Sequence, residues 1–137
     1  MSQFTAQTIT FLCILFTHWV ADFLFQNDAE AKGKSSSNKM LLRHTIKYTI
    51  ITSFLWMALI PCYFNMLHPF QTIEGHINIL LFALITFVAH TITDYFTSRL
   101  NSKLWAKGDV HNFFVSVGFD QFLHFLQLFL TYYFLIK

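Results

Sequence analysis

The sequence predicts an all-α, integral membrane four-helix bundle made of two αα-hairpins related by a pseudo-twofold repeat. Three observations carry this. First, 55% of the 137 residues are apolar and 12% charged, with 18 phenylalanines, a balance that suits a bilayer better than a core wrapped in water. Second, the apolar residues fall in four runs, about 6–26, 44–65, 76–100 and 110–136. Each is near the roughly 20 residues that a helix needs to cross a hydrocarbon core about 30 Å thick. Third, HWVAD, then AKGK, then His44 parallels HTITD, then AKGD, then His111, so the two halves read as copies about an axis normal to the membrane. A single transmembrane domain, 1–137, accounts for the chain.

The first run has no Lys or Arg before Lys32 and contains His18 and Asp22, where a cleaved signal would be uniformly apolar, so it reads as a retained helix. The stretch NDAEAKGKSSSNKMLLR is too polar to bury anything and is expected to be a mobile loop or a short surface helix, its charges simply solvated. The second run is expected to end near Pro61, which lacks a backbone donor. Met66 to Gly75 form a turn and NSKLWAKGD a polar link. Gly118 suggests a close helix contact. Cys13 and Cys62 are isolated in apolar runs, which points to free thiols rather than a metal or disulfide motif. A net charge of +2 gives no reason to expect a nucleic-acid partner.

Orientation follows from the basic residues. Lys32, Lys34, Lys39 and Arg43 lie between the first two runs and Arg99, Lys103 and Lys107 between the last two, against Lys137 alone on the other face. Short basic loops stay in the cytoplasm. An inner-membrane, multi-pass protein is therefore expected, with both termini outside. Trp105 near one face and Tyr63, Tyr132 and Tyr133 near the other suit interfacial belts.

Ionisable residues are placed inside these apolar runs. His18/Asp22, His90/Asp94 and Asp120/His124 are each spaced i, i+4, so each pair can turn an imidazole nitrogen and a carboxylate oxygen toward one ion. His44 and His111 open the second and fourth helices on the same face. Buried charges in a bilayer each cost about 2.5 to 3.5 kcal/mol and so face partners. The eight residues form a candidate metal site of nitrogen and oxygen donors, suited to Zn, Mn or Fe. Eight donors are too many for one tetrahedral ion, and suit either two ions or one ion with supporting His and Asp groups. Gln26, Ser98, Gln121 and Gln127 lie on or near the same stripes. His68 and His76 belong to the opposite face, and Ser53 stands in the second helix where the fourth has Asp120.

At HWVADFLFQ, the Lys-rich loop with LLRH, HTITDYFTSR and HNFFVSVGFDQFLH, the chain resembles the small membrane proteins of bacteria and their phages grouped as the domain of unknown function numbered 3307. That resemblance covers nearly the whole chain and implies no activity. In architecture and intramembrane His and Asp it is more loosely similar to bacterial membrane-bound metal-dependent hydrolases.

The leading functional expectation is a metal-dependent hydrolase acting on an ester or phosphoester of a lipid or amphiphile from the cytoplasmic side. Asp22, Asp94 and Asp120 are the candidate catalytic groups, and Arg43 and Arg99 are candidates for holding an anionic headgroup. The alternatives are a proton or divalent-cation transporter, or a non-catalytic phage or host-envelope protein with a structural metal. Four short helices leave room for a homodimer.

Overall fold

A computed structural model describes residues 3–64 and 72–135. All regular structure among these residues is helical, with four long helices and one short one. α1 spans Gln3–Trp19 and runs on into a π-helical turn, Val20–Leu24. α2 is Asp28–Gly33, α3 Asn38–Phe64, α4 Ile73–Ala106 and α5 Val110–Leu135.

The loop after the first apolar run is more ordered than its composition suggests. Asn27 accepts a hydrogen bond from the Glu30 amide at 2.9 Å, and Glu30 reaches back to the Asn27 amide at 3.3 Å. This is a capping box, and it nucleates α2. The same Glu30 side chain is fully buried, ion-paired with Arg43 at 3.2 Å and with Lys47. Far from being solvated, its charge anchors α2 to α3.

α3 begins six residues before the expected His44, since Ser37 accepts from the Met40 amide at 3.4 Å. It also continues past Pro61 to Phe64. Thr72 caps α4 through the Gly75 amide at 3.0 Å. α4 then absorbs most of the expected polar link and stops where Gly108 takes a φ of 72°, a conformation that glycine adopts without penalty. Asp109 caps α5, so only Lys107–Asp109 separate the two helices. Gly118 faces open space, with nothing within 4 Å of a Cβ built there. His76 is exposed and bonded to the Thr72 carbonyl. His68 lies outside the described residues, as do the side chains of Cys62 and Tyr63.

Burial is inverted relative to a water-soluble bundle. Among the described residues, sixteen polar or charged ones are buried against eight hydrophobic ones, while Phe16, Phe54, Leu80, Phe96, Phe114 and Phe134 are among many exposed apolar side chains. Ile73–Ala106 and Val110–Leu135 are long and apolar enough to cross a membrane. The interior has two levels. Ile14, Trp56, Phe82 and Leu128 form a compact apolar cluster. One to two helical turns away along each of the four long helices lie His18, Tyr48, His90 and His124, where the interior becomes polar.

Candidate metal centre

The π-helical turn places Asp22, which is 4% exposed. Extra residues per turn widen the helix locally and re-aim side chains, commonly at functional sites. Asp22 Oδ1 lies 3.0 Å from His44 Nε2 and 3.7 Å from His90 Nε2. The two Nε2 atoms are 3.2 Å apart. Asp94 Oδ2 closes the group, 3.2 Å from His44 and 3.5 Å from His90. Four nitrogen and oxygen donors at the corners of a tetrahedron about 2.0–2.1 Å from a central ion would be about 3.3–3.4 Å apart. The five separations above, 3.0 to 3.7 Å, straddle that value.

A second group shares Asp94. Its other oxygen, Oδ1, lies 3.4 Å from His124 Nε2, which is also 3.4 Å from Asp120 Oδ1. Asp94 therefore points one oxygen at each of two donor clusters, Asp22–His44–His90–Asp94 and Asp94–Asp120–His124, both of which can hold a metal ion. The first has four protein donors and is closed. The second has three, which is the pattern of a centre that keeps a position for water or substrate.

Supporting contacts fix several donors. Thr97 donates to Asp120 Oδ1 at 2.6 Å and Gln121 to Oδ2 at 3.0 Å. Because a carboxylate only accepts, Gln121 must offer Asp120 its amino group and turn its carbonyl to His18 Nε2, 2.8 Å away. His18 Nε2 is then the protonated nitrogen, and Nδ1 accepts from the Tyr48 hydroxyl at 2.8 Å. Both nitrogens of His18 have these partners, and it stands outside the two donor groups. Tyr48 in turn stacks on His90 with ring centroids 3.8 Å apart. Gln26 Nε2 lies 3.1 Å from His44 Nδ1. Exchanging the amide's nitrogen and oxygen, which are alike in shape, would let Gln26 accept from Nδ1–H and leave Nε2 free to coordinate.

Some buried atoms in the cluster have no hydrogen-bond partner, notably Asp22 Oδ1, His90 Nδ1 and both nitrogens of His124. Buried polar atoms are seldom left so. A cation in each group would satisfy Asp22 Oδ1 in the first and His124 Nε2 in the second, so the donor sets fit a metal.

Of the eight residues singled out from spacing, the structure brings six together as potential donors and keeps His18 beside them as a support. His111 is exposed at the start of α5. Its place opposite the carboxylate of the preceding helix is taken by His124, which meets Asp94 as His44 meets Asp22. Neither arginine reaches the cluster. Arg43 is 65% exposed and bound to Glu30, while Arg99 binds Asn38 at 2.7 Å and lies over the Tyr95 ring. Gln127 bonds Thr86 and Thr131 instead.

The cation that does reach the cluster is Lys34, which the sequence hid in a polar stretch. Its Nζ is 3.0 Å from Asp94 Oδ2 and its side chain only 15% exposed. Burial works against its charge, but the Asp94 and Asp22 carboxylates outweigh this and hold the ammonium above its usual range.

These features define an all-helical protein with buried His/Asp clusters able to hold a metal ion. The chain belongs to the family described as Protein of unknown function (DUF3307), which it matches over residues 10–137. No curated protein gives a significant match, and no solved structure does.

Proposed function

We propose that this is a multi-pass membrane protein that binds two divalent ions through a shared Asp94 and hydrolyses an ester or phosphoester of a lipid or amphiphile from the cytoplasmic side. The observation that carries the reading is the convergence of six His and Asp donors from the π-helical turn, α3, α4 and α5 at separations suited to coordination. The inverted burial supports a bilayer as solvent, since so extensive an apolar exterior is otherwise an aggregation hazard. The basic residues of α2, α3 and the α4–α5 link favour the cytoplasm for the end nearer the cluster.

A divalent ion held by Asp94, Asp120 and His124 would supply Lewis acidity and would lower the pKa of a water in the open position to about 7. The chain's own groups do the rest. Thr97 and Gln121 hold Asp120 in one orientation, beside the open position. Asp120 accepts a proton as water oxygen bonds to the carbonyl carbon or phosphorus, and returns it to the departing alkoxide as the ester bond breaks. The products are the acid and the alcohol, with one water consumed. Asp22, in the closed group, has the role of holding charge rather than moving protons.

Transport fits less well. The apolar cluster of Ile14, Trp56, Phe82 and Leu128 stands between the polar level and the other end of the bundle, whereas an ion path must be polar at both ends. The four-donor group does favour a second reading, a structural ion with no chemistry attached.

Elemental analysis of the detergent-purified protein tests the proposal. Near-stoichiometric Zn, Mn or Fe that is lost in the His90→Ala/Asp94→Ala variant is expected, together with turnover of an ester or phosphoester substrate. No bound metal after supplementation rejects it, and a metal whose removal unfolds the protein without any turnover identifies the structural reading instead.

A further inference from the structure

Every donor of the two groups is supplied by a long helix or the π-helical turn. Lys34 caps the end of α2, and the fold goes to some length to deliver it. The capping box fixes the start of α2, and the buried Glu30 ties its middle to Arg43 and Lys47 on α3. Gly33 sits so close to α3 that a Cβ there would lie 3.0 Å from Met40 Cγ. An ammonium delivered by so constrained a segment is held in place rather than merely attracted.

Its position relative to access matters as much. His18, His44 and His90 are fully buried, whereas Asp22 retains 4% exposure, Asp120 8%, its partner Thr97 9% and the Lys34 side chain 15%. Lys34 Nζ bonds Asp94 Oδ2, the oxygen turned to the four-donor group, and the same carboxylate turns Oδ1 into the three-donor group. The ammonium therefore adjoins both groups through the one bridging carboxylate.

Charge then discriminates between substrate classes. The donor groups contain three carboxylates, Asp22, Asp94 and Asp120. Two divalent ions and the Lys34 ammonium leave this centre with a surplus of two positive charges when the imidazoles are neutral. A neutral carboxyl ester cannot balance that surplus, whereas a phosphoryl group can, and a buried uncompensated charge is costly.

Building on the metal-dependent hydrolase reading, we propose that the substrate is a phosphoester and that Lys34 binds its phosphoryl oxygens beside the Asp94–Asp120–His124 group. Lys34 serves as a point charge with three donors, one on Asp94 Oδ2 and the others free for the anion. Hydrolysis needs only water as co-reactant: water oxygen bonds to phosphorus, the ester P–O bond breaks, and the leaving alkoxide takes the proton.

The test measures binding before turnover. Metal-loaded protein in lipid nanodiscs is titrated with inorganic phosphate, and Lys34→Ala and Lys34→Arg are compared at matched metal content. Phosphate should bind the unaltered protein, with a Kd raised at least tenfold in Lys34→Ala and within about threefold of the original in Lys34→Arg. Short-chain phosphatidic acid should be hydrolysed at least a hundredfold faster than a diacylglycerol of the same chain length, with the Lys34→Ala loss appearing mainly in KM. Phosphate binding that is absent, or unchanged in Lys34→Ala, overturns the proposal. So does preferential turnover of the diacylglycerol, which would leave the hydrolase reading standing, whereas a protein that binds no metal removes both.

Discussion

The Nε2 atoms of His44 and His90, from different helices, face each other across 3.2 Å with a carboxylate oxygen near both. Only one proton can lie between two imidazole nitrogens, and a second would put two positive charges in contact. Opposed lone pairs flanked by carboxylates are instead what a divalent cation requires. His44→Ala should therefore remove about one equivalent of metal and His90→Ala the same, while the double variant removes no more than either. Additive loss would show that the two imidazoles serve different ions.

Asp94 contributes one oxygen to each donor group and Asp120 to only one. Asp94→Asn is expected to lose both equivalents of metal and Asp120→Asn one, as read by elemental analysis at equal protein concentration. If Asp94→Asn retained an equivalent, Asp94 would not be the bridge.

Gln26 bonds His44 without supplying a donor to the group itself. Partners of this kind, when removed, typically weaken metal affinity about 10- to 100-fold. Competition with a chelator should show such a drop in Gln26→Leu and a smaller one in Gln26→Glu, whose carboxylate can still accept from Nδ1–H. Equal affinity in all three proteins would mean that Gln26 has no role in metal binding.

Tyr48 donates to His18 and stacks on His90. Tyr48→Phe keeps the stack but orphans a buried nitrogen, at a cost of about 1–3 kcal/mol. Metal content should be unchanged while thermal stability falls. Loss of metal from this variant would instead make His18 a ligand.

Glu30, which joins α2 to α3, gives a pH signature. Burial raises its carboxyl, but Lys47, the Asn27 amide and Arg43 together hold it below its usual range. A depressed folded pKa means that the stabilisation is present above the unfolded value of about 4.3 and fades as pH falls through the folded value. Glu30→Gln should lower stability near neutrality and flatten its fall in acid, so that the two proteins converge at low pH. Parallel curves would show that the ion pairs contribute nothing.

The i, i+4 spacing was informative because helices do place such pairs on one face, and α1, α4 and α5 carry their pairs inward. What spacing could not distinguish was His18 from His90. Both stand four residues before an aspartate, yet Gln121 and Tyr48, distant in sequence, occupy the nitrogens of one and not the other. His111 stands apart for a different reason. The link between α1 and α3 contains α2 and that between α4 and α5 only three residues, so the register of the second helix differs and His124 comes opposite Asp94. Lys34 and Glu30 were hidden by composition, since a polar segment conveys nothing about which of its charges are covered. Nothing in HWVADFLFQ indicates the π-helical turn at all.

That turn is where a change of length would act differently from a change of residue type. A π-helical turn holds about one residue more than an α-helical one, so deleting a single exposed position such as Phe23 would return the segment to ordinary helix with little change in the phase of Ile14, Thr17 and His18. The interior apolar level would keep its α1 contribution, while the local widening that aims Asp22 at His44 and His90 would be lost. A one-codon deletion there, though it removes no donor, would act on the first donor group alone.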